Sequence, residues 1–136
     1  MAKAAVVYWT GTGNTETMAN IVADSAKEAG AEVDVIEVAN FSADKVADYS
    51  AIAFGCPAMG DEILEEDEFQ PMWDEVKDSL GDKTVVLFGS YDWGDGEWMR
   101  TWEAEAPCTI TDTVICYLEP DDEAQAALKA LGAKLA

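Results

Sequence analysis

Apolar runs of strand length alternate along this chain with segments whose apolar residues recur every three or four positions. That alternation constrains the fold more than any other feature. Residues 3–9 (KAAVVYW) form a near-continuous apolar run, as expected of a strand buried on both faces. From Asn14 to Ala29, the residues Met18, Ile21, Val22 and Ala26 recur at helical spacing, and Gly30 supplies a C-terminal stop. Residues 32–38 (EVDVIEV) alternate like a partly covered strand, 43–49 read as a short helix, and 51–55 (AIAFG) as another buried strand. Across 66–80, Phe69, Met72, Trp73, Val76 and Leu80 share one helical face, with Pro71 in the first turn. Residues 83–88 (KTVVLF) predict a strand and 89–96 a glycine-rich loop. Trp98, Trp102 and Ala106 then face one way on a helix, 109–118 form a last strand, and 121–135 a last helix through Ala124, Leu128, Leu131 and Leu135.

The order β-α-β-α-β-α-β-α-β-α requires a mostly parallel sheet with helices on both faces, an α/β three-layer α-β-α sandwich. With 136 residues, 49% of them apolar, and no linker or repeat, the chain is expected to form a single domain over 1–136. No apolar run reaches the length of a membrane span. The apolar start ends at Trp9 and meets a glycine-rich turn where a signal peptide would need a cleavage site, so a cytoplasmic location is expected.

Cys56, Cys108 and Cys116 form no CxxC pair and are odd in number, which argues against a disulfide scaffold. The chain has no histidine, so zinc sites and Ser/His or Cys/His nucleophilic chemistry lose their usual residue, and a borrowed cofactor becomes the expected source of reactivity. No metal site is expected. A formal charge of −20 disfavours nucleic acid and anionic membranes, both of which need a basic footprint. The same acidity either keeps a small protein in solution or steers it to partners with basic rims.

In such sheets ligands sit beyond the carboxyl ends of the strands, where the strand order reverses. Three unusual loops lie there. Thr10-Gly11-Thr12-Gly13-Asn14-Thr15 joins a buried strand to a helix. It reads either as an ordinary turn with an N-cap Thr or Asn, or as an anion nest of converging amides, hydroxyls and a helix N-terminus. Four hydroxyl or amide side chains among two glycines favour the nest, while neither the dinucleotide fingerprint nor the P-loop pattern is present. In Cys56-Pro57-Ala58-Met59-Gly60-Asp61-Glu62, Gly60 would be the second residue of a turn over 59–62, where it favours type II′ or serves any tight turn, and Met59 is either core filler or a thioether laid against a ring. Cys56 is expected to be an inert filler, its acidic loop raising the thiol pKa. In Gly89-Ser90-Tyr91-Asp92-Trp93-Gly94-Asp95-Gly96, Trp93 sits in a polar loop, either folded back on the surface or capping a flat ligand. A phosphate nest beside a soft side chain and a large aromatic describes a site for a flat ring with a phosphate tail, and FMN fits it.

The segments VVYWTGTGNTETMAN, AFGCPAMGDEILEEDEFQP and LFGSYDWGDGEWMR, in this order and spacing, resemble the short-chain flavodoxins of anaerobic bacteria over nearly the whole chain. The resemblance implies the strand order 2-1-3-4-5, no long insertion in the last strand, and FMN as cofactor. It implies that 10–15 bind the phosphate, that Pro57, Ala58, Ser90, Tyr91 and Gly94 line the site, and that Met59 and Trp93 pack on the inner and outer ring faces. The Gly60–Asp61 peptide would turn its carbonyl to flavin N5–H on one-electron reduction, and Glu62 would receive N3–H. Under it the protein is a low-potential one-electron carrier, not an enzyme. It would work mainly between semiquinone and hydroquinone, stand in for ferredoxin, and act as a monomer on redox proteins with basic docking surfaces. Asp61, Glu62, Glu65, Glu66, Asp67 and Glu68 would then repel the charge of the second electron.

Two positions depart from the family pattern. Asp92 stands where relatives commonly carry glycine, and Pro57 where some carry a hydroxyl. Asp92 either strains a special backbone angle or adds one more negative charge beside the ring. A flavin-dependent quinone reductase would need open access to the flavin face, which Trp93 opposes. A receiver domain would need an acidic pocket after the first strand, where this chain has TGTGNT.

Overall fold

A computed structural model describes residues 3–9, 11, 13–59, 63–92, 94 and 96–136. The elements run β1 (Lys3–Tyr8), α1 (Asn14–Glu28), β2 (Glu32–Glu37), α2 (Ala43–Val46), β3 (Ala51–Gly55), α3 (Phe69–Val76), β4 (Thr84–Tyr91), α4 (Glu97–Glu105), β5 (Asp112–Tyr117) and α5 (Asp122–Ala133). Short 3-10 turns follow β2 and α3 at Val38–Asn40 and Lys77–Ser79. The five strands form one parallel sheet in the order β2-β1-β3-β4-β5.

The continuous apolar runs have a simple cause: successive side chains of a strand point to opposite faces, and both faces are covered. Ala5 and Val7 of β1 enter one core with Ile52, Phe54, Val85 and Leu87, beneath Phe69, Trp73, Val76, Trp98 and Trp102 from α3 and α4. Ala4, Val6 and Tyr8 enter the other with Ala53, Val86 and Phe88, beneath Met18, Val22, Leu128 and Leu131 from α1 and α5. Edge strand β2 is exposed at Glu32, Asp34, Val35 and Glu37, which accounts for its alternating sequence.

Several boundaries differ from the sequence expectation, β5 spanning Asp112–Tyr117 rather than 109–118 among them. β4 runs on through Gly89 and Ser90 to Tyr91, because these residues pair with Ile115, Cys116 and Tyr117 of β5. Of the 43–49 segment only Ala43–Val46 is α-helical. α3 starts at Phe69 rather than 66, because the Glu65 carboxylate accepts the backbone N–H groups of Asp67, Glu68 and Phe69 at 2.8, 2.7 and 2.9 Å and holds 66–68 in a turn.

Candidate functional site

At the carboxyl edge of the sheet, a cavity of about 320 Å³ is lined by Trp9, Gly11, Asn14, Pro57, Ala58, Met59, Ser90, Tyr91, Asp92 and Leu118. Backbone pairing beyond the strands builds it. Trp9 N–H donates to Gly55, Cys56 to Phe88, Ala58 to Ser90 and Leu118 to Tyr91, so each loop leaves the sheet tied to its neighbour. The Trp98 indole N–H donates to the Cys56 carbonyl at 3.2 Å, and the Ser90 hydroxyl donates to the Leu118 carbonyl at 2.7 Å. Gly89 permits this closeness, since a Cβ there would lie 2.2 Å from the Cys56 carbonyl oxygen.

Beside the cavity, Gly13 caps α1 with φ 95°, a left-handed angle that glycine adopts without strain. This 15-residue helix therefore begins at a residue with no side chain of its own to cap it. Thr15 in its first turn is 1% exposed, and its hydroxyl has no hydrogen-bond partner among the described residues. A buried hydroxyl without a partner costs about 1–3 kcal/mol. Lying at the positive end of a helix, it marks a place prepared for an anion. Asn14 lines the cavity next to it.

Of the residues expected from sequence, the structure brings Gly11, Asn14, Pro57, Ala58, Met59, Ser90, Tyr91 and Asp92 together around one cavity, with Gly13 and Thr15 at its helical end. Gly94 is exposed and not among the lining residues. The expectations for Thr10, Thr12, Gly60, Asp61, Glu62 and Trp93 lie outside the described residues. Met59 N–H donates to the Ile63 carbonyl at 3.0 Å, closing the chain on either side of three of those positions.

Two lining residues escaped the sequence reading. Trp9 looked like the last residue of a buried strand, although an aromatic directly before a glycine-rich turn was the available signal. Leu118 is 43% exposed and has φ 57°, and nothing in its sequence context announces either property.

Of the acids expected near the ring, Asp61 and Glu62 lie outside the described residues, and Glu65, Glu66, Asp67 and Glu68 are not among the residues lining the cavity. Among the described lining residues the one carboxylate is Asp92. Glu65 is buried and turned to its three backbone amides, and Glu68 accepts the Trp9 indole N–H at 3.1 Å. Burial alone would raise the Glu65 pKa, but hydrogen bonds from Phe69, Glu68 and Asp67 outweigh it and hold the carboxyl below its ordinary value. Asp92 does not have a positive φ, which leaves charge as the consequence of its replacing glycine. Cys56 is fully buried, and burial rather than the acidity of its loop pushes its thiol far up.

The fold and the cavity define a protein that holds a flat, phosphate-tailed ligand where a parallel sheet reverses its strand order. Comparison with known proteins gives that class its family. The family model described as Flavodoxin matches residues 6–134. The chain is 41% identical over 134 residues to a flavodoxin of Clostridium beijerinckii, covering 96% of this chain and 97% of the relative. It is 42% identical over 120 residues to one of Megasphaera elsdenii, covering 86% and 88%. The solution structure of two-electron reduced Megasphaera elsdenii flavodoxin superposes with a TM-score of 0.87 at 40% identity, covering 96% of this chain and 98% of that one. The chain belongs to the flavodoxin family, whose members bind FMN and carry electrons rather than turn over a substrate. The buried Thr15 hydroxyl, without a hydrogen-bond partner among the described residues, and the cavity beside it fit that cofactor. No described helix is long and apolar enough to cross a membrane.

Proposed function

We propose that this chain is a single-domain, monomeric, cytoplasmic carrier that passes one electron at a time at low potential, standing in for ferredoxin. It works mainly between the one-electron-reduced and fully reduced states of its cofactor. FMN, when bound, supplies the redox chemistry, and the protein supplies position and electrostatics. The observation that carries the reading is the buried Thr15 hydroxyl at the N-terminus of α1, which has no hydrogen-bond partner among the described residues and lies beside a cavity of about 320 Å³.

In this reading Thr10, Gly11, Thr12, Gly13, Asn14 and Thr15 hold the phosphate without a single cation, using amides, hydroxyls and the helix dipole. Met59 and Trp93 would hold the ring between them, while Pro57, Ala58, Ser90, Tyr91 and Gly94 would shape the walls. Glu62 would accept a hydrogen bond from N3–H of the ring. The Gly60 carbonyl would be the acceptor available to N5–H, in a turn that glycine at 60 allows and whose competitor Asp61 would disfavour. Asp92 places a negative charge beside the ring and so opposes the second electron. An overall charge of −20 steers the protein to redox partners with basic docking surfaces.

The test is cofactor selection and turnover. Apo-protein should quench and retain FMN far better than riboflavin, and the loaded protein should not oxidise NAD(P)H with a quinone as acceptor. Equal affinity for the two flavins would remove the phosphate site, and steady NAD(P)H turnover would make the protein a reductase.

A further inference from the structure

Trp9 is one of two lining residues, with Leu118, to which the resemblance assigns no role. It leaves the end of β1 with its backbone N–H on the Gly55 carbonyl, and its side chain forms a wall of the cavity. Its six-membered ring lies against Gly11, where an added Cβ would come 3.1 Å from Cη2 and 3.4 Å from Cζ3. Its indole N–H donates to Glu68 Oε1 at 3.1 Å, across 59 residues of sequence. Glu68 is itself fixed, because its backbone N–H donates to Glu65 Oε1 at 2.7 Å, and the Glu65 N–H points to the buried Cys56 Sγ at 3.4 Å. One continuous set of contacts therefore runs from the 56–59 segment through the start of α3 to the back of Gly11 in the anion loop.

We infer that Trp9 is a positioning residue for cofactor selection: held by Glu68, its ring sets the place of Gly11 and with it the amides that receive the phosphate. The inference rests on the FMN reading above. The glycine backbone at 11 has no side chain to fix it, so the flat indole behind it supplies the missing support. Without the Glu68 bond the indole is no longer held against Gly11, and the nest loses its support. A loop that must converge on a phosphate without lysine depends on such pre-organisation more than one with a cation to adjust.

Charge makes the inference separable from its obvious rival. Glu68 is an anion near an anion site, so if it acted by charge alone its removal would tighten FMN binding however it was removed. Positioning predicts a split: Gln can still accept the indole N–H, and Ala cannot. Fluorescence-quenching titrations of apo-protein with FMN and with riboflavin would be run on wild type, Glu68→Gln, Glu68→Ala, Trp9→Phe and the Trp9→Phe/Glu68→Ala pair. Glu68→Ala and Trp9→Phe should each weaken FMN about three- to tenfold, the range of one hydrogen bond, and weaken riboflavin clearly less. Glu68→Gln should bind FMN at least as tightly as wild type, and the double variant no more weakly than the weaker single one. The inference is overturned if Glu68→Ala tightens FMN as Glu68→Gln does, or if Glu68→Ala and Trp9→Phe weaken riboflavin as much as FMN. Wild type that fails to prefer FMN over riboflavin would instead bring down the phosphate-site reading itself, and this inference with it.

Discussion

The Glu65 carboxylate accepts the backbone N–H of Phe69 at 2.9 Å from a position only 6% exposed, capping α3 from inside the protein. Within a run of acids this one is structural. Its folded-state pKa is depressed, so its stabilisation is complete above the unfolded glutamate value, about 4.3, and is lost as pH falls through the lower folded value. Glu65→Ala should cost about 1–3 kcal/mol in urea unfolding at pH 7. The pH dependence of stability below about pH 4.3 should be shallower in Glu65→Gln than in wild type. Equal slopes would mean the carboxylate does not cap the helix.

Thr15→Val should separate stability from binding. Removing a buried hydroxyl that has no described partner should leave apo-protein as stable as wild type or more so, by up to about 1 kcal/mol. The same change should lower the preference for FMN over riboflavin about tenfold, as expected for one hydrogen bond to a charged group. Paired thermal melts and flavin titrations check both arms.

Gly89→Ala places a Cβ 2.2 Å from the Cys56 carbonyl oxygen and 3.0 Å from Trp98 Cζ2. A backbone carbonyl yields only by moving its loop. The substitution should cost about 1–3 kcal/mol of stability and loosen FMN, because Cys56 leads directly into Pro57, Ala58 and Met59. Denaturant midpoints and flavin affinity should fall together.

Asp92 lines the cavity with an ordinary negative φ, so Asn should replace it without backbone change. Asp92→Asn and Asp92→Gly should both raise the potential of the second one-electron reduction, since each removes a negative charge from the ring's surroundings. Glu28→Gln, at the far end of α1, removes the same charge and should leave that potential nearly unmoved. Unchanged potentials in both Asp92 variants would sink the charge argument.

What was legible in the sequence follows from which signals are local. Strands and helices announced themselves because covering both sheet faces leaves continuous apolar runs, such as 3–9 and 51–55, between helical repeats. The end of β4 did not, because Gly89 and Ser90 read as loop and are made strand only by pairing with β5. In the sequence, Glu65, Glu66, Asp67 and Glu68 stand together as charges that would repel the second electron. Only the fold shows that Glu65 caps a helix and Glu68 holds an indole 59 residues away. Trp9 was hidden for the same reason: its setting depends on contacts with Gly11 and with Glu68, which is distant in sequence.

The most direct test of the carrier reading is an anaerobic spectroelectrochemical titration of FMN-loaded protein, following the visible spectrum from the oxidised to the fully reduced state. Two resolved one-electron steps are predicted, with a long-lived one-electron-reduced species between them and the second step at distinctly lower potential. A single two-electron bleaching with no intermediate spectrum would contradict it and remove the one-electron carrier function from this chain.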